Sequence, residues 1–162
     1  MKFEKPVLII ILFFIFFIVL SSFNFQSSDI SITELPKEIA ELVSQYLFIL
    51  QNSSTLEEAA IKLQNILGGG LLNSQGKIST DTLSFSLKKD YQNAKLYQYP
   101  IKITRVVKIL NDYDGYQQTY IEGTGYKVWV AKKDGVAGMP APVHVIKPKD
   151  GSSAKIIGIG SF

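Results

Sequence analysis

Residues 6 to 28 carry no charged side chain, and Val7 to Leu20 is an unbroken run of valine, isoleucine, leucine and phenylalanine. No other stretch constrains the chain as strongly. A helix rises 1.5 Å per residue, so about 20 apolar residues cross the hydrocarbon core of a bilayer. Pro6 to Phe25 supplies that length. A helix packed on a soluble core would show a polar stripe, and this run has none. Lys2 and Lys5 precede it, and no further positive charge follows until Lys37. The positive-inside rule then predicts a cytoplasmic N-terminus with everything after Phe25 outside. A cleaved signal peptide is the rival reading, with Val19–Ser21 as a small-residue cleavage site. The length and phenylalanine content of the run favour an uncleaved signal anchor.

The expected organisation follows from this. Residues 1–5 are a cytoplasmic tail, 6–25 a single transmembrane signal anchor, 26–33 a polar tether, and 34–162 a folded domain. The predicted location is the inner (cytoplasmic) membrane, single-pass, with the C-terminal domain in the periplasm or outside. The bilayer is the first expected partner, through residues 6–25. About 135 residues remain beyond the anchor, enough for one core. A composition of 46% apolar and 19% charged residues argues against disorder. The chain has no cysteine, which excludes disulfides, cysteine zinc sites, thiol catalysis and a lipidated cysteine.

From Glu34 the pattern turns helical. Ile39, Leu42, Val43, Tyr46, Leu47 and Leu50 fall on one helix face, with Thr33 as the expected cap and Pro36 in the first turn. Ser54 and Glu57 suggest a capping box for a second helix, whose apolar face is Leu56, Ala59, Ala60, Leu63, Ile66 and Leu67. Gly68–Gly70 should end it. From Thr82 the period becomes two, with Leu83, Phe85 and Leu87 alternating with polar residues, and a strand is expected there. Ile101–Leu110 is β-branched, residues 111–115 read as a turn, and Tyr116–Ala131 reads as strand with Gly123–Gly125 as a tight turn or a bulge. Val143–Lys147 and Lys155–Ile159 form a last hairpin. Helices followed by about six strands predict an α+β domain, a helix pair packed on a curved antiparallel sheet.

Charge divides along the same line. Residues 26–87 hold three lysines and seven acids, and residues 88–162 hold twelve Lys or Arg and six acids. An acidic helical layer on a basic sheet is the expectation.

The helix pair Glu34–Leu67 followed by the strands Ile101–Leu110, Tyr116–Ala131, Val143–Lys147 and Lys155–Ile159 resembles the nuclear-transport-factor-2-like fold, with the cystatin-like fold as a close relative. The resemblance covers residues 34–162 by element order. It implies a bent sheet wrapped around helices into a cone that holds a ligand or a partner. With the anchor in front, the whole is also similar to the bridging subunits of type IV secretion systems. Enzymes of the first fold need a buried carboxylate or histidine in the cone, and no acid stands at a clearly core-facing strand position here.

His144 is the chain's single histidine, and without cysteine or a second histidine it makes no zinc site. It would serve as a general base only if a carboxylate oriented it, and a solvent-facing or structural role is expected. Asp112, Asp114, Asp134 and Asp150 are read as turn residues. Gly158 and Gly160 lack the following helix of a nucleotide fingerprint. No metal and no cofactor are expected. Seven of the eight tyrosines lie between residues 91 and 126. Tyr116, Tyr120, Tyr126 and Trp129 are the candidate binding residues, as an interface patch or a pocket lining. Arg105 is the one arginine, which argues against phosphate recognition, so no nucleic acid is expected. The sequence therefore predicts a non-catalytic interaction or scaffold module of the bacterial envelope that docks envelope subunits, in a secretion or motility machine among other settings. Homo-oligomerisation stays open. The alternative is a small apolar-ligand binder, which requires a closed pocket of about 300 Å³ or more.

Overall fold

The computed structural model describes residues 26–162. The expected tail and anchor at 1–25 lie outside the described residues. Among the described residues, no helix is long and apolar enough to cross a membrane.

The first described element is a strand rather than a tether. β1 (Ser27–Ile30) is followed by helices α1 (Lys37–Asn52) and α2 (Leu56–Leu63), and by a π-helical turn (Thr82–Leu87) that runs into α3 (Lys88–Asn93). Then come β2 (Ile103–Asp114), β3 (Ile121–Val130), β4 (Ala141–Pro148) and β5 (Lys155–Gly158). All neighbours pair antiparallel in the order β1-β2-β3-β4-β5, an open meander of five strands rather than six. The domain is α+β, with helices packed on one face of the sheet.

That face is set by strand alternation. Val106, Tyr126, Val128, Val130, Val143, Val145 and Ile156 are buried against Ile39, Val43, Tyr46, Leu47 and Leu50 of α1 and Ala59 and Leu63 of α2. Each buried Val, Leu or Ile contributes roughly 1.5–3 kcal/mol. The helix pair and its apolar stripe match the sequence pattern. The caps do not. Ser31 and Glu34 make a capping box around a 3-10 turn, and Pro36 stands at the N-cap of α1. Thr55, one residue later than expected, caps α2 by accepting the Glu58 N–H at 3.1 Å. After Leu63 the chain leaves the helix: Leu67 pairs with Ile156 along the free edge of β5.

The expected strand at 82–87 is helical. Ser79 Oγ accepts the Thr82 N–H, and Ser79 O accepts the Leu83 N–H, so the helix is nucleated at its entry. Leu83 and Leu87, which suggested alternation, are also i, i+4, and they pack on the core while Phe85 between them stays 71% exposed. The charge division shifts with it: Lys88, Lys89 and Lys95, counted with the sheet, belong to the helical layer. Lys147 Nζ to Glu38 Oε2, 2.8 Å, is an ion pair that joins sheet to helix.

α3 supplies a second anchor. Asp90 is buried and accepts the Tyr46 hydroxyl, the Gly160 N–H and the Phe162 N–H, each at 2.8 Å. Phe162 then stacks on Tyr97 at 4.3 Å between ring centroids. Burial pushes the Asp90 carboxyl above its ordinary value of 3.8, against the opposing pull of these three donors. Burial, with the Asp90 charge beside it, likewise raises the Tyr46 hydroxyl.

Removing Asp90 leaves two buried donors and one partly buried donor without an acceptor. Asp90→Ala is therefore expected to lower stability by about 3 kcal/mol or more. A raised folded-state value means that Asp90 titration adds stability below pH 3.8, lost as pH rises through the raised value. Urea unfolding of the wild type and Asp90→Asn from pH 7 to 3.5 reads this directly. The difference should move in favour of the wild type as pH falls, and a flat difference contradicts the assignment.

Candidate functional site

β2 governs the geometry. Its first half pairs with both β1 and β3. Beyond Ile109 the register with β3 slips, and Asn111 adopts a left-handed conformation at φ 54°. Asparagine tolerates that region better than most residues. The bulge bends the strand across the sheet face away from the helices. Asp112 then lies over Gly125 of β3, where a Cβ would collide with Asp112 Oδ2. Asp114 reaches further, and its Oδ2 accepts the Gly70 N–H at 2.8 Å. Gly69 beside it has φ +60°, and a Cβ there would meet the same carboxylate. Residues 66–68 run along β5, so the tip of β2 and the far edge of the sheet approach each other across this glycine triplet.

The curl encloses a small second cluster. Ile109, Ile146 and Ile157 are buried, yet they lie on the face opposite the helices. His144 shares that face, and its Nε2 lies 2.7 Å from Asp112 Oδ2. Asp112 is 4% exposed. This corrects two expectations. Asp112 is a buried strand residue, not a turn residue, and a buried carboxylate does orient the single histidine. The signal was hidden because a one-residue bulge shifts every following side chain to the other face. The pair sits inside the curl, and neither residue lines the open groove described next.

That groove, about 930 Å³, lies between the glycine loop, the β2–β3 connection and the β4–β5 turn. Gln64, Lys77, Gln118, Tyr120, Glu122 and Lys149 are among its lining residues. It is open and of mixed polar and apolar lining, with Leu67, Leu72 and Ile121 beside the polar groups, unlike the closed pocket that a small-ligand binder requires. The space between helices and sheet is filled with side chains, Tyr46, Leu47, Leu50, Leu63 and Leu67 among them. Among the described residues, no group of three or more His, Asp or Glu side chains could hold a metal ion.

The four candidate binding residues are not brought together. Tyr116 (77% exposed) and Tyr120 (51% exposed) occupy the β2–β3 connection. Tyr120 stacks on Tyr113 at 6.3 Å, and its hydroxyl donates to Glu122 at 3.0 Å, a bond that raises its pKa. Tyr126 is buried on the helix side, where burial and then the Glu38 charge raise its hydroxyl. Trp129 lies on the opposite face under the Arg105 guanidinium, 4.7 Å from the ring. Arg105 is held in turn by Asp29 of β1, Nε to Oδ1 at 2.7 Å, and this contact keeps the Asp29 carboxyl below its ordinary value. Trp129 is thus engaged within the chain.

Sequence reasoning missed a second exposed apolar region. Phe48 and Tyr99 pair at 5.5 Å between centroids, 46% and 44% exposed. Leu96 and Met139 are exposed at the same end of the sheet, Met139 at 84%. Phe48 sits off the apolar stripe of α1, and that misfit was the available signal.

Searches of family models, curated proteins and solved structures return no match to this chain.

The Asp112–His144 contact gives a direct test. Gly125→Ala should displace Asp112 from His144 and cost about 2–4 kcal/mol in urea unfolding, with Asp112→Ala costing about 1–3 kcal/mol. Because both act on one contact, the double variant should cost clearly less than the sum. Gly70→Ala, where a Cβ meets only ordinary contacts, should stay within about 0.5 kcal/mol. Additive losses would mean that the glycine and the carboxylate act independently.

Proposed function

We propose that this chain is a membrane-tethered, non-catalytic interaction module of the bacterial envelope that presents its folded domain outside the cytoplasm to protein partners. The observation that carries the reading is the exposed apolar region of Phe48, Leu96, Tyr99 and Met139. It lies where β2 begins and where the β3–β4 connection turns, at the end of the sheet away from the Tyr116 connection. Phe48 and Tyr99 are in contact, and Leu96 and Met139 are exposed at the same end of the sheet; large apolar side chains gathered at one end of a domain mark interaction surfaces. The uncharged run at residues 6–25 supports the tether. A subunit of a secretion or motility machine falls within this reading, as does self-association.

The nuclear-transport-factor-2-like or cystatin-like arrangement is part of the same proposal. It is supported by a helix pair leading into a curved antiparallel meander. The small-ligand alternative has less behind it, since the helix–sheet interface is filled and the groove is open rather than closed. His144, partly exposed, and buried Asp112 have the orienting contact of a general base, but neither lines that groove.

A photo-crosslinking amino acid at Tyr99 or Met139 in the full chain in cells tests the proposal. Discrete higher-mass adducts from both positions, and none from exposed Glu57 on α2, are expected. Adducts from no position, with a solitary monomer after mild detergent extraction, would overturn it.

A further inference from the structure

The expected tether does not exist as a spacer. Ser27 is already paired in the sheet with Ile109, and Gln26 O accepts the Leu110 N–H at 3.0 Å. Only Gln26 separates Phe25, the last residue of the expected anchor, from the first strand residue. A free eight-residue tether would let the domain wander by roughly 16 Å. A one-residue link fixes which part of the domain faces the attachment point.

β1 runs antiparallel to β2, so the chain enters the sheet opposite Leu110, on the half of β2 that continues to the Tyr116 connection. Tyr113 stands three residues past Leu110, across the bulge at Asn111 and so at most about 10 Å away. The headgroup layer of one leaflet is roughly 5–7 Å thick. If residues 6–25 span the bilayer, the connection lies within reach of its interface.

The surface there has the matching chemistry. Leu110 is 39% exposed, and Tyr116 and Tyr120 are more so. From Gly115 to Ile121 the sequence is Gly-Tyr-Gln-Gln-Thr-Tyr-Ile, without a charge. The two acids just before it are turned away: Asp112 is buried on His144, and Asp114 binds the Gly70 N–H. Glu122 just after it is engaged by the Tyr120 hydroxyl, with Lys149 Nζ 3.5 Å from its other oxygen. Tyrosine rings favour the membrane–water interface because they pair an apolar body with a polar tip.

We infer that the β2–β3 connection, led by Leu110, Tyr116 and Tyr120, rests in the headgroup layer of the membrane that anchors the chain. The inference rests on the tethered reading above. The occupant is lipid, and the Phe48–Tyr99 end is left facing away.

The chain has no native cysteine, so single-cysteine variants can be labelled directly. Tyr116→Cys and Met139→Cys of the full chain, carrying an environment-sensitive fluorophore, would be reconstituted in phosphatidylcholine–phosphatidylglycerol vesicles. Lipids spin-labelled near the headgroup are the quencher. Quenching at position 116 is expected to exceed that at 139 at least two-fold, with a blue-shifted emission at 116 only. An alkaline carbonate wash separates the two claims. Protein that stays with the vesicles but shows equal quenching at both positions overturns the lipid contact and leaves the tether standing. Protein released by the wash overturns both.

Discussion

The absence of a side chain at Gly125 is the constraint on which the far half of the domain depends. With a Cβ at that position, Asp112 could not lie across β3 and His144 would lose its partner, so the path that β2 takes after its bulge at Asn111 depends on this glycine. The curl buries Ile109, Ile146 and Ile157 without help from the helices. It also carries Asp114 to the glycine triplet and sets the β2–β3 connection where its tyrosines are exposed. One missing methyl thus links a second small core, the Asp112–His144 contact and a surface. The helix-side core and the Asp90 clamp hold the other half by a separate set of contacts.

Much of the architecture was legible in the sequence where the helix-side core sets the pattern. The α1 stripe and the strand alternation in β3 and β4 match the sides that are buried. Where local signals are ambiguous, the reading failed for identifiable reasons. Leu83 and Leu87 fit both a period of two and an i, i+4 pair, and the Ser79 contacts decided for helix. Residues 111–115 look like a turn because asparagine, aspartate and glycine accept unusual backbone angles. Here only Asn111 and Gly115 use them, and the strand runs on to Asp114. β1 is short, polar and exposed at the sheet edge, so its pairing leaves no trace in hydrophobicity.

The candidate site was legible only in part. Tyr113, Tyr116 and Tyr120 do gather at one connection, but Tyr126 and Trp129 were drawn into it by sequence proximity alone. Their pairing partners place them on opposite faces of β3. The His144–Asp112 contact joins residues 32 apart through a bulge, which no periodicity argument locates.

These features give the domain two unlike ends. One carries uncharged polar and tyrosine side chains beside the point where the chain enters the sheet, and the other carries Phe48, Tyr99 and Met139. The central claim is that this polarity is set against a membrane. The most direct measurement is the height of each end above the bilayer, read by energy transfer from a donor on a single cysteine to acceptor lipids. β3 spans ten residues, or about 33 Å. If the sheet stands on its tyrosine end, a donor at position 139 should sit roughly 30 Å farther from the lipid plane than one at 116. Equal heights, or the reverse order, would contradict the account.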